Sequence, residues 1–171
     1  MLRLLYTCLE IMWFRRGPAD MPGSLRWAAA TLLLYAAVGL LMSMVSLPPL
    51  QAGMQVALDV VILVAFAQLT LRWRNRNARL PQTLTALAGT GILFTVLALP
   101  AMVSLDNLNS SGGDASVPAL LLLVLIFWNL AVIVHIMRQA LVVPLGTAMM
   151  VSLGYLVVSM VTISMIFPPV A

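Results

Sequence analysis

The sequence predicts an all-α fold, a polytopic membrane bundle of five transmembrane helices preceded by an N-terminal interfacial amphipathic helix. Three observations carry this expectation. Of 171 residues, 63% are hydrophobic and 8% charged, against roughly 25% charged in soluble domains, and the mean hydropathy is +1.08. Five apolar windows each reach the ~20 residues needed to cross a hydrocarbon core about 30 Å thick. All nine basic residues are arginines, and they fall only in alternate connections of a five-span chain.

Residues 1–25 read as a cytoplasmic interfacial helix and linker. Leu2, Leu5, Leu9 and Met12 with Trp13 recur at helical spacing, while Arg3, Thr7 and Glu10 fall on the other side. That is the pattern of a helix lying in the headgroup plane with its apolar side down. A signal peptide is not expected, because Glu10 interrupts the apolar run and the main positive cluster, Arg15 and Arg16, stands at the wrong end. A docking helix for a cytoplasmic partner is the functional alternative. Cys8, the one cysteine, excludes an intrachain disulfide and reads as a small apolar filler.

Residues 26–171 read as one membrane domain with spans at about 27–47, 51–71, 82–105, 118–137 and 142–167. Prolines punctuate them. Pro48 and Pro49 close span one, since proline cannot continue a helix. Pro81 precedes span three, Pro100 is expected to kink it, and Pro118 opens span four as a first-turn residue. Pro168 and Pro169 end span five.

The arginines then set orientation. Arg3, Arg15, Arg16 and Arg26 precede span one, "RWRNRNAR" places Arg72, Arg74, Arg76 and Arg79 between spans two and three, and Arg138 follows span four. The connections "PPLQAG" and "DNLNSSGGDASV" and the tail "PPVA" carry no basic residue. The positive-inside rule therefore predicts a cytoplasmic N-terminus and a C-terminus outside. The exclusive use of arginine suggests a GC-rich bacterial genome, so the expected location is the inner membrane with a periplasmic C-terminus. Arg72, Arg74, Arg76 and Arg79 read as an orientation signal that also meets lipid headgroups, at about 1 kcal/mol per basic residue near an anionic surface. Trp73 beside them fits an interfacial anchor. No nucleic-acid partner is expected: a short loop tethered at both ends offers little area and matches no recognition module.

Polar residues within spans are where membrane function shows. Asp59 is the carboxylate inside a span, too deep for its short side chain to reach water, so it must be neutral, paired or solvated. Asn129 in span four and Ser159 and Thr162 in span five match it in depth, and these four form the candidate intramembrane polar site. Ser152, Tyr155, Ser159 and Thr162 make one stripe on span five, and Thr31, Tyr35, Gly39, Ser43 and Ser46 make a similar one on span one. Both stripes read first as helix packing and second as a path for a proton, ion or small solute. His135 lies about 15 Å from Asp59 along the membrane normal, too far for a direct relay, and reads as an interfacial histidine.

Enzymatic motifs are missing from the sequence. It contains no GxGxxG, P-loop or HExxH, its single histidine cannot build a zinc site, and Ser-His-Asp chemistry lacks support. No cofactor, metal or catalytic residue is expected.

The amphipathic start ending in "RRGPADMPGS", the five closely spaced spans, the basic loop after span two and the Trp of "IFWNLAVIVHIMRQAL" together resemble the Yip-domain family of five-span membrane proteins, in its bacterial branch. The resemblance covers most of the chain and is architectural. The Asp-Tyr-Gly-Pro-like segments associated with eukaryotic members are absent, so no site residue is carried over. It implies a helical bundle that organises partners within the membrane. The expected function is thus that of a non-enzymatic inner-membrane protein of interaction or assembly, with membrane lipids and a membrane-protein partner or second copy as partners. The alternative is a small transporter or channel subunit using the polar stripes.

Overall fold

The computed structural model describes residues 2–45 and 47–166. They form helices α1 (Leu2–Met12), α2 (Leu25–Ser43), α3 (Pro49–Trp73), α4 (Leu80–Ser111), α5 (Ser116–Leu141) and α6 (Leu145–Ile166), with 3-10 turns at Pro18–Asp20 and Asn77–Arg79 and no strand among the described residues. Five helices, α2 to α6, are long and apolar enough to cross a membrane. The chain is therefore an all-helical, multi-pass membrane bundle.

Local chemistry sets the helix ends. Ser24 caps α2 by accepting the Trp27 N–H at 3.4 Å, the usual role of a serine before a first turn. Pro48 and Pro49, expected to close the first span, instead open α3; α2 already ends at Ser43. Proline suits a first turn because its missing N–H would be unpaired there anyway. α4 continues through Pro100 and stops where Gly112 adopts a left-handed conformation, φ 71°, and donates to the Leu108 carbonyl. Asp114 then accepts both the N–H and the hydroxyl of Ser116 at 2.9 and 2.5 Å, bonds that hold its carboxyl below the usual carboxylate range. α5 ends on Val142, also left-handed at φ 53°, a strained state for a β-branched residue.

α4 is the central helix. It packs most extensively on α2 and α5 and also touches α1 and α3, while α6 closes against α5 and α3. Its buried surface is made of small residues: Ala86, Ala88, Thr83, Thr85 and Thr90 are all within 1% of full burial. Each threonine hydroxyl bonds back to a carbonyl four residues earlier, at 2.7 to 2.9 Å, so the polar group is satisfied within the helix and the methyl is left to pack. Two glycines set the closest approaches. A Cβ on Gly89 would lie 2.6 Å from Cys8 Sγ of α1, and one on Gly91 would lie 2.7 Å from the Tyr35 ring of α2.

α1 keeps Leu5, Leu9 and Trp13 on its outer side and meets the bundle with another face. Its bundle-facing side is Thr7, Cys8, Ile11 and Met12, each 3% exposed or less, whereas Leu5, Leu9 and Trp13 are 48%, 45% and 65% exposed. Thr7, assigned to the polar side by periodicity, is buried with its hydroxyl on the Arg3 carbonyl at 2.9 Å. The physical reason is that lipid tails are as apolar as leucine, so large side chains gain little by turning inward, while small ones let helices approach. Cys8, Ile11, Met12 and Met21 accordingly belong to the same core as Leu87, Val132 and Ile136. Burial pushes the Cys8 thiol up to about 11, which leaves it an unreactive filler at neutral pH.

The end of α1 is held by aromatic and polar contacts. Trp128 donates its indole N–H to the Met12 carbonyl at 3.1 Å and meets Trp13 and Phe94 edge-on at 5.7 and 5.3 Å. Phe14, left-handed at φ 60°, turns the chain back. Arg16 pairs with Glu10 at 2.8 Å, and its carbonyl lies 2.9 Å from His135 Nε2. Gly17 follows, and a Cβ there would stand 1.5 Å from Oε1 at the flexible end of the exposed Gln139 side chain, which would have to move aside.

Candidate intramembrane site

Asp59 sits ten residues beyond Pro49 on α3, about 15 Å along the helix at 1.5 Å per residue. Tyr35 of α2 donates its hydroxyl to Asp59 Oδ2 at 2.6 Å, a short O–H···O hydrogen bond. The ring of Tyr35 reaches that position because Gly91 leaves room for it. Tyr155 of α6 is placed by Phe66 of α3, the two rings lying 4.6 Å apart and tilted.

These residues surround one cavity of about 330 Å³ to which all five spans contribute: Tyr35 from α2, Asp59 and Leu63 from α3, Leu87 and Gly91 from α4, Asn129 and Ile133 from α5, Tyr155 and Ser159 from α6. Of the four candidates chosen by depth, Asp59, Asn129 and Ser159 share this cavity. Thr162 does not line it; Ile163 takes the next position on α6. Asp59's direct hydrogen-bond partner is neither Asn129 nor Ser159 but Tyr35. Both tyrosines were visible only as members of packing stripes. The signal that could have singled them out is that a buried phenol needs a partner for its hydroxyl, and Asp59 is the carboxylate at matching depth.

Other polar residues lie elsewhere. His135 contacts the Arg16 carbonyl, Gln139 and the Phe14 ring, all at the arginine-rich end of the bundle. Ser152 is fully buried on α6 and its hydroxyl has no hydrogen-bond partner among the described residues. In the basic loop, Arg72 and Arg74 are exposed while Arg76 and Arg79 are half-buried. Arg79 donates to the Gln139 carbonyl at 3.0 Å, placing a cation on the carbonyl end of α5 where the helix dipole favours it. That tie between the α3–α4 loop and α5 was not legible from the sequence.

The chemistry of the cavity is oxygen-based: a carboxylate, two phenols, an amide and a hydroxyl among aliphatic walls. Among the described residues no group of three or more His, Cys, Asp or Glu could hold a metal ion. Such a donor set is suited to a proton or a small cation rather than to a transition metal, which favours nitrogen and sulfur ligands. Fold and site together define a polytopic α-helical membrane protein with a largely apolar cavity between its spans that holds one carboxylate and a few hydroxyl and amide groups. No protein-family model, curated protein or solved structure matches the chain.

Proposed function

We propose that the chain is a small transport or channel subunit that handles a proton or small monovalent cation at Asp59. The observation that carries this reading is the convergence of all five spans on one cavity holding Asp59, its Tyr35 partner, Asn129, Tyr155 and Ser159. A carboxylate inside the hydrocarbon region is costly and persists where it faces a partner or a solvated space. Pure packing would be served by small residues and isolated hydroxyls, without an ionisable group. In this proposal the arginine-rich end faces the cytoplasm of a bacterial inner membrane, as the positive-inside rule implies.

The test is flux through purified protein in liposomes loaded with a pH-sensitive dye, under imposed proton, sodium or potassium gradients. Wild type should exceed empty liposomes for at least one ion. Asp59→Leu should abolish that flux, and Asp59→Asn, which keeps the shape but cannot titrate, should abolish any proton-coupled component while the protein stays folded. Absence of flux for every ion, or full flux in Asp59→Leu, refutes the proposal.

Assembly is the second reading, the one the Yip-like architecture implies. It is favoured by α2 and α6, whose apolar windows each have only 6% of their residues buried, so that beside their contacts with α4 and α5 they keep outer faces turned to lipid, a second copy or another membrane protein. Under this reading Asp59→Leu leaves partner recovery unchanged, and substitutions on the outer faces of α2 and α6 abolish it.

A further inference from the structure

We propose that the arginine-rich end of the bundle carries a specific site for one phospholipid with a primary-amine headgroup, phosphatidylethanolamine, seated between α1, α2 and α4. Two adjoining hollows form it, and neither shares a residue with the Asp59 cavity. The first, about 340 Å³, has mixed polar and apolar walls and is bounded by Arg3, Thr7, Asp20, Met21, Pro22 and Trp27. The second, about 370 Å³, is bounded by Leu5, Cys8, Thr31, Leu34, Gly89 and Ile92. Leu4 and Trp27 line both, so the two lie side by side on either face of these residues.

The geometry matches a lipid rather than a soluble ligand. The apolar hollow follows α2 from Trp27 to Leu34, about 10 Å at 1.5 Å per residue, which is the direction an acyl chain takes through a leaflet. Its rim residues Leu5 and Leu34 are 48% and 50% exposed, leaving the groove accessible from the side. Its one hydroxyl, Thr31 Oγ1, is turned onto the Trp27 carbonyl at 2.8 Å, so that hydroxyl is not left unpaired against a hydrocarbon chain. Trp27 stands at the junction, the position an indole takes between headgroups and chains.

The headgroup follows from charge. Thr7 spends its hydroxyl on the Arg3 carbonyl, leaving Arg3 and Asp20 as the charged groups of the first hollow, and neither forms an ion pair among the described residues. Asp20 gives Oδ2 to the Gly17 N–H at 3.0 Å, which orients the carboxylate and leaves Oδ1 as acceptor. One cation and one anion at the mouth of an acyl groove complement a zwitterion: the Arg3 guanidinium takes the phosphate, and Asp20 takes an ammonium that can donate N–H. A phosphocholine cannot donate such a bond, and a phosphoglycerol brings no cation.

The test is native mass spectrometry of the full chain, delipidated and re-equilibrated with equal palmitoyl-oleoyl phosphatidylethanolamine, phosphatidylcholine and phosphatidylglycerol. One phosphatidylethanolamine should be retained at several-fold over either competitor. Asp20→Asn, which preserves the acceptor for Gly17, should erase the preference over phosphatidylcholine. Arg3→Gln, on an exposed first-turn position, should weaken both of those lipids together, and Leu34→Trp should block all three by filling the groove. Equal retention of the three lipids, preference for phosphatidylglycerol, or an unchanged preference in Asp20→Asn overturns the proposal, with thermal unfolding of each variant establishing that the fold is intact.

Discussion

Replacing Gly89 by alanine tests whether α1 is truly built into the bundle. The added Cβ would stand 2.6 Å from Cys8 Sγ, where ordinary contact begins at 3.4 Å, so the two atoms must part by about 0.8 Å. Cys8 is 3% exposed and cannot swing away into open space, which means α1 itself must shift. Overpacking of this kind costs about 1–3 kcal/mol, partly offset by the gain of about 1 kcal/mol when glycine becomes alanine within a helix. Gly89→Ala should therefore lose up to about 2 kcal/mol. Cys8→Ala removes the obstructing sulfur and alone should cost about 1 kcal/mol of lost burial. The double variant should be more stable than the sum of the single losses requires, with a favourable coupling of about 1–3 kcal/mol. Reversible unfolding in mixed micelles, followed by tryptophan fluorescence, measures all four corners, and Trp13 and Trp128 report on the α1 contact directly. Losses that add to within about 0.5 kcal/mol would show that α1 does not meet α4 at Gly89.

Two further outcomes are expected. Val142→Gly should raise stability by about 1 kcal/mol, because it relieves a left-handed β-branched residue that is 54% exposed and loses little burial; a lower unfolding midpoint than wild type would refute the strain argument. Topology reporters inserted after Asn75 should report the cytoplasm and those inserted between Gly112 and Gly113 the opposite side, and substituting Arg72, Arg74 and Arg76 by glutamine should weaken this bias. The reverse assignment would place the arginine-rich end outside.

The sequence by itself determined the membrane class, the number of spans and much of their punctuation, because hydropathy, length and proline or glycine chemistry act locally. Leu25–Ser43 or Leu145–Ile166 needs no knowledge of its neighbours to be recognised as a span. Depth along each helix, also a local count, was enough to group Asp59, Asn129 and Ser159. Which face of each helix turns inward was decided only by the tertiary structure. In water, burial separates leucine from threonine, but in lipid both faces of a span are apolar, and the inward face is chosen by small residues that let backbones close and by polar groups that find partners. That is why α1 meets Gly89 through Cys8, with Thr7 also buried, while Leu5 and Leu9 stay exposed. It is also why the Tyr35 hydroxyl, rather than a group chosen by depth alone, reaches Asp59, and why Arg79 of the basic loop ends on a carbonyl of α5.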